Sequence, residues 1–350
     1  MTLCAAWIRQ GQSDEGQELV FATDSRLRMG EEWDSGIKLF DLGRTDCLIC
    51  FAGETQRAYT LILQGSNSRQ FNVDWSDPRL DLYDICTLLC DAFTLLARSI
   101  RDVAGGQRAR DVAGSATFLF GGWSWRKARL CVWEISYSID LEAFVQTAMH
   151  GEGNTPRLPA FIGDHTEIAR RLLMEDLGPD ILYGSYDMQP LRVLARMSLD
   201  HTYVEIGGAL QVAKVYRSGH NEFFGMMWPS SRGNPWFLGR RINPYDAPPM
   251  RFIDPETTAF VEGLPQDLDD LDAHDFREET QFIQECYPLK KLDPALPEAQ
   301  RNRLKRILRD VAYREFVTRC EIAAVVAIEE EAEQLQNAEG SDEQLADEEL

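Results

Sequence analysis

The sequence predicts a mixed α+β domain on three observations. Four short strand-like apolar runs crowd the first 53 residues and are followed at once by a helix-periodic segment. A second strand pair, over 116–136, lies between long amphipathic stretches. The 350 residues are 44% hydrophobic, enough to bury a real core.

The elements follow in order. LCAAWI and ELVFAT flank RQGQSDEGQ, whose Gly, Ser, Asp and Gln supply turn conformations, so the pair reads as a hairpin starting at the second residue. GIKLFDL and DCLICFAG give two further strands, and Gly53 closes the second before the helix TQRAYTLILQ. LDLYDICTLLCDAFTLLARSIRDVAGG reads as a long amphipathic helix stopped by Gly105 and Gly106. ATFLFGGWSWRKARLCVWEIS is strand, turn and strand; PAFIGDHTEIARRLLMEDL is strand, turn and helix. LRVLARMSLD adds a helix and VEIGGALQVAKVYRSG a closing strand.

Charge and composition exclude several function classes. The net charge is −21; residues 329–350 carry ten acidic and no basic residues, and the body without them stays at −11. Nucleic-acid binding, which depends on clustered cations, is not expected. No apolar run approaches the roughly 18 residues that cross a bilayer, and MTLCAAWIRQ lacks a basic and then long apolar leader, so a cytoplasmic protein with no membrane partner is expected. The eight cysteines sit mostly in apolar runs, as reduced core thiols do. Cys47 and Cys50 form a lone CxxC with no second pair, and the five histidines make no i,i+4 pair, so neither a metal nor another cofactor is expected.

A strand at the extreme N-terminus raises the question of what that terminus does. Thr2 is small enough for Met1 to be removed, which would place a hydroxyl and a free α-amine on one residue. An α-amine titrates near 7.7–8.0 and can act as general base for the adjacent hydroxyl. Such a site needs a carboxylate, a cation that lowers the amine pKa, and N–H groups for an oxyanion. A hairpin turning near Ser13 brings Asp24 opposite Thr2; Lys38 opens KLFDL; the Gly53 N–H sits where a strand yields to a helix. Alternatively, Asp24 and Arg26 are a surface ion pair and Lys38 an exposed strand residue. Cys4 is a rival nucleophile that would require a cut after Leu3.

In that order, TLCAAW, LVFATDSR, KLFDL and CFAGET resemble the opening of proteasome β subunits, the bacterial heat-shock two-component peptidase and the Anbu peptidases. The resemblance covers about 1–217 and implies a four-layer αββα N-terminal-nucleophile hydrolase fold with a C-terminal extension. It implies Thr2 as nucleophile and base, Lys38 as the cation, Asp24 as its holder and Gly53 as oxyanion donor, with Ser25 and Arg26 in the same motif. Asp164 stands where the family has a serine near the terminal amine. A carboxylate there would hold an ammonium and weaken the base, the alternative being an N-cap for the following helix. The family's later Asp and Ser are replaced by Tyr203 and Ile206, with Asp200 and Glu205 nearby but out of register.

The resemblance thus implies a threonine-type amide hydrolase acting on peptides as a homo-oligomer, with an unfoldase as a further partner. A catalytically lapsed scaffold or assembly protein and a small-molecule amidase are the alternatives.

Beyond the 1–217 domain, 218–296 is expected to be an irregular aromatic, Pro- and Gly-rich extension with an acidic linker around Asp267–Asp275. Residues 297–337 read as one long helix and 338–350 as a disordered acidic tail. That helix is basic at its start and acidic at its end, against its dipole, while Leu304, Ile307, Leu308, Val311, Ala312, Phe316 and Val317 form an apolar stripe. Truncation after Pro297 should therefore lower the melting temperature or the assembly size, whereas deletion of 338–350 should change neither. Native mass by light scattering together with native thermal stability in the truncated protein would show the helix to be a detached appendage.

Overall fold

The computed structural model describes residues 2–9, 16–28, 32–68, 77, 79–100, 114–150, 159–177, 186–200, 202–229, 233–242, 249–261, 282–283, 285–287 and 292–308. The chain divides into two compact units, Met1–Gln266 and Asp267–Leu350.

The first unit mixes helices with extensive, mostly antiparallel sheet. Its first six strands are β1 (Leu3–Arg9), β2 (Glu18–Thr23), β3 (Leu27–Arg28), β4 (Glu32–Trp33), β5 (Leu39–Phe40) and β6 (Cys47–Gly53). Helices α1 (Thr55–Ser68) and α2 (Leu82–Ala97) follow, then β7 (Ala116–Ser124), β8 (Arg129–Ser138), β9 (Ala143–His150) and β10 (Ala160–Gly163). Next come α3 (Thr166–Leu177), α4 (Gln189–Leu199), β11 (Gln211–Tyr216) and β12 (Asn221–Met227). The short strands β13 (Pro235–Phe237), β14 (Arg240–Arg241), β15 (Phe252–Ile253) and β16 (Phe260–Val261) complete it.

One sheet runs β10-β1-β2-β11-β12-β13-β14, with β15 parallel to β12 and β16 on β15; the other runs β5-β6-β7-β8-β9; β3 and β4 pair alone. Strand alternation decides which side chains meet where. Cys4 and Ala6 of β1, Phe21 of β2, Leu48, Cys50 and Ala52 of β6 and Ala213 of β11 share one buried cluster that joins the two sheets. The opposite side chains of β6, Cys47, Ile49 and Phe51, pack with Ile62 of α1 and Leu89 and Phe93 of α2. Buried on both faces, CLICFAG carries no polar alternation. Across the other sheet, α4 lies against β1 and β2, and α3 against β10.

Several sequence expectations shift. The hairpin pairs Cys4 with Thr23, so Asp24 falls level with Leu3 rather than Thr2, one residue from the expected register. Helix α2 ends at Ala97, where Arg98 and Ser99 donate N–H groups to Thr94 O and Leu96 O; the Gly105–Gly106 stop lies outside the described residues. Strand β9 was not expected: AFVQTAMH follows β8 as a third meander strand, and only its pairing with β8 reveals it. Beyond Tyr216, the aromatic-rich segment continues the first sheet edge through β12.

In the second unit, α5 (Glu298–Ile307) contributes Leu304 to a small cluster with Phe282, Ile283, Cys286 and Leu296. The acidic run around Asp267–Asp275, the remainder of the 297–337 helix and the 338–350 tail lie outside the described residues. No helix among the described residues is long and apolar enough to cross a membrane.

Candidate active site

The site forms where β1 begins, β2 ends and the turns at 163–165 and 203–207 converge. Its centre is Asp24, fully buried just beyond β2. One carboxylate oxygen, Oδ1, accepts the Leu3 N–H at 3.1 Å and Lys38 Nζ at 3.0 Å; the other, Oδ2, accepts the N–H groups of Arg26 at 3.1 Å and Gly207 at 3.2 Å. A buried carboxylate is tolerable only with its lone pairs filled, and here four donors fill them.

Lys38 is also fully buried, just before β5. Its N–H donates to the Gln211 side chain at 3.0 Å, and Gln211 in turn donates to Gly36 O at 2.6 Å, so β11 fixes the lysine backbone. Its ammonium donates to Asp24 and to the hydroxyl oxygen of Thr2 in a short contact. A cation donating to that oxygen favours the alkoxide and leaves the hydroxyl proton available to a base. Asp24 and Arg26 are therefore not a surface ion pair, Arg26 being buried against Asp34, and Lys38 is not an exposed strand residue.

Thr2 is held on three sides. Its N–H donates to Asp164 Oδ2 at 2.8 Å, its carbonyl accepts the Asp164 N–H at 2.8 Å, and its hydroxyl accepts from Lys38. The half-buried Asp164 carboxylate is thus spent on Thr2, and its role there is distinct from helix capping. The preceding Gly163 has φ +105; a Cβ on it would fall 1.9 Å from Thr2 O and 3.0 Å from Ala52 Cβ, so the ends of β1, β6 and β10 meet where only glycine fits. Gly53, at the end of β6, has φ +106, and a Cβ there would strike Ser115 O at 2.1 Å.

Ser25 and Arg26 brace the site from behind. The Ser25 hydroxyl donates to Ala209 O at 2.6 Å and lies 2.9 Å from Asp34 O. Arg26 grips both Asp34 carboxylate oxygens, at 2.7 and 3.0 Å, and donates to Val204 O at 3.1 Å. Burial opposes its charge, but the hydrogen bonds and charge of Asp34 outweigh burial and hold the guanidinium above its usual pKa.

Tyr203 and Ile206 lie in the turn before β11. The Ile206 side chain is buried, and its N–H donates to Tyr203 O at 3.0 Å. Two groups whose pairing the sequence does not announce come together here: His165 Nε2 lies 3.1 Å from Glu205 Oε2, and its ring is 5.2 Å from that of Tyr203. The hydrogen bond from His165 lowers the Glu205 carboxyl pKa more than partial burial raises it. Glu205 was noticed in the sequence, but nothing there identifies its partner.

The rival nucleophile, Cys4, is fully buried between the sheets, with Sγ donating to Phe51 O at 3.0 Å. Cys47 and Cys50 point to opposite faces of β6, as i and i+3 must on a strand, and burial pushes both thiols up. Among the described residues, no three His, Cys, Asp or Glu side chains gather as metal ligands would.

Comparison with known proteins finds no matching family model and no matching curated protein. Among solved structures the chain is similar to Anbu (ancestral beta-subunit) from Yersinia bercovieri, at 17% identity over 63% of this chain and 86% of that one, with a TM-score of 0.43. At that level of likeness, the chemistry must come from the site's own atoms.

Asp24→Asn removes the charge but not the volume, leaving the Lys38 ammonium buried without its counter-ion. The expected loss is about 3–5 kcal/mol of stability in urea unfolding. Thr2→Ala leaves Lys38 its Asp24 counter-ion and removes only the hydroxyl acceptor, so its expected loss is smaller, about 1–3 kcal/mol.

Proposed function

We propose that this chain, once Met1 is removed, is an N-terminal threonine amide hydrolase acting on peptides. The observation that carries this reading is the buried chain of contacts from Asp24 through Lys38 to the Thr2 hydroxyl, with the Thr2 nitrogen on the same residue. The packing of helices outside two joined sheets further supports the four-layer αββα arrangement of such hydrolases.

In the proposed reaction, the freed α-amine takes the Thr2 hydroxyl proton as Oγ1 attacks the substrate carbonyl. Lys38 stabilises the developing alkoxide and the Gly53 N–H the oxyanion. The C–N bond breaks, and the leaving amine takes the proton from the ammonium. A water molecule, deprotonated by the same amine, then cleaves the ester and restores Thr2. The substrate is a peptide or related amide, the assembly a homo-oligomer, and an unfoldase its supplier of extended chain.

Two observations favour the rival reading of a lapsed scaffold. Thr2 is only 1% exposed, and Tyr203 and Ile206 replace the expected Asp and Ser. Intact mass separates the two at the first step: loss of the initiator Met is expected, and fully retained Met1 defeats the hydrolase. In the processed protein, Thr2→Ala and Lys38→Ala should each abolish peptide hydrolysis at unchanged oligomer size. An electrophilic boronate should block activity by bonding Thr2.

Asp164 sets the pH dependence. A carboxylate beside the amine stabilises the ammonium and raises the amine pKa, so activity should rise with pH to a plateau whose midpoint the carboxylate displaces upward. Asp164→Asn removes that charge and should move the midpoint down by about one pH unit or more. A profile that stays in place, or moves up, would separate Asp164 from the amine.

A further inference from the structure

The site's atoms are divided between two turns. The Gly163–His165 turn, between β10 and α3, holds Thr2 through the backbone and side chain of Asp164. The 203–207 turn, before β11, holds Asp24 through the Gly207 N–H at 3.2 Å, while the Ser25 N–H donates to Gly207 O at 3.1 Å. The strands adjoining these turns, β10 before the first and β11 after the second, are anchored in the sheet, and the turns themselves are joined by a side-chain pair, His165 with Glu205.

Three features mark that pair as more than a surface ion pair. His165 has φ +57, a left-handed backbone that non-glycine residues adopt at a cost, and strain of that kind persists only where surrounding contacts enforce it. Its carbonyl accepts the Ala169 N–H at 2.9 Å, so the same residue starts α3. The pair is two-thirds or more shielded, with side-chain exposures of 33% and 23%. Glu205 is further approached by Arg28 of β3 at 3.9 Å, which itself pairs with Glu32 at 3.7 Å; among the described residues the other charged and titratable groups nearby are the Tyr203 ring against His165, Asp164 next to His165 in the chain, and Arg26, whose guanidinium donates to Val204 O at 3.1 Å.

We propose that His165 and Glu205 are a positioning pair: they tie the turn carrying Asp164 to the turn carrying Gly207 and so hold the Asp164 carboxylate at the Thr2 nitrogen. Neither touches the reacting atoms. The catalytic part of the inference rests on Thr2 as nucleophile; the positioning part does not. At this place in the chain Tyr203 and Ile206 carry no charge, and Glu205, between them, supplies one to a partner across the gap.

The informative variants are His165→Gly, which accepts the φ +57 backbone and removes only the side chain, and Glu205→Ala. Glu205→Gln keeps a hydrogen-bonding oxygen without the charge. The first measurement needs no turnover: native-state hydrogen exchange of the Asp164 amide, whose N–H is bonded to Thr2 O. His165→Gly and Glu205→Ala should each speed that exchange about tenfold at an unchanged global unfolding midpoint, with Glu205→Gln in between. Unchanged exchange in both variants overturns the proposal, even in a protein with no activity at all.

Where the wild type hydrolyses peptides, the same two variants should shift the pH midpoint downward, in the direction of Asp164→Asn. Adding either to Asp164→Asn should produce no further shift. Independent, additive shifts overturn the positioning role, whereas an inactive wild type with accelerated exchange in the variants defeats the hydrolase reading and leaves the pair standing.

Discussion

A fully buried carboxylate fixes the geometry of this site. Asp24 has no access to water, so each of its lone pairs must be met by a donor from the protein: the backbone just after β2 supplies one, and three segments distant in sequence supply the others, the start of β1, the Lys38 side chain and the turn before β11. If any one were displaced, the carboxylate would keep its desolvation cost and lose a partner. The first strand of the chain is therefore tied down by a charge as well as by the β1–β2 and β1–β10 ladders. The same residue that orients Lys38 also sets the position of Leu3, and with it that of Thr2.

Much of this was readable in the sequence because the signals were local. Runs such as CLICFAG and ELVFAT are apolar enough to mark strands, and Gly53 and Gly163 mark places where the backbone turns back on itself. Thr2, Asp24, Lys38 and Asp164 were each identified as candidates, and the fold brings all four into contact. What could not be read was register and long-range pairing. The hairpin loop does not encode whether Asp24 faces Thr2 or Leu3; the six-residue ladder decides it. AFVQTAMH carries too few strand formers to announce β9, which exists because β8 offers it an open edge. The His165–Glu205 contact spans forty residues, and neither residue bears a local mark of the other.

The turn that carries Tyr203 and Ile206 is held together mostly by its backbone. Ile206 is buried, and Arg26 reaches over the turn to Val204 O, so the segment is held by backbone contacts that do not depend on which side chains occupy 203 and 206. The charge sits one residue before Ile206, at Glu205, and faces the turn that follows β10. A side-chain link such as His165–Glu205 can hold two turns in place only where the backbone on each side of it is fixed independently. Here the Arg26–Asp34 pair and the bond from Gly207 to Asp24 do that fixing.

The placement of opposite charges around Thr2 bears on whether Asp164 is a handicap. In the proposed reaction, the cation faces the hydroxyl oxygen and the carboxylate faces the nitrogen, so the two do not cancel at a common atom. Before reaction, Asp164 favours the ammonium and reduces the fraction of amine able to accept a proton near neutral pH. After transfer from hydroxyl to amine, the new ammonium lies beside Asp164 and the new alkoxide beside Lys38. Each charge created by the step is then next to its complement, in surroundings where a pair 4 Å apart is worth roughly 4 kcal/mol. The carboxylate thus lowers the population of the reactive form and at the same time stabilises the charge separation that the attack requires. Above the amine midpoint the first effect vanishes and the second remains, so a site built this way gains most from Asp164 on the alkaline side of neutrality.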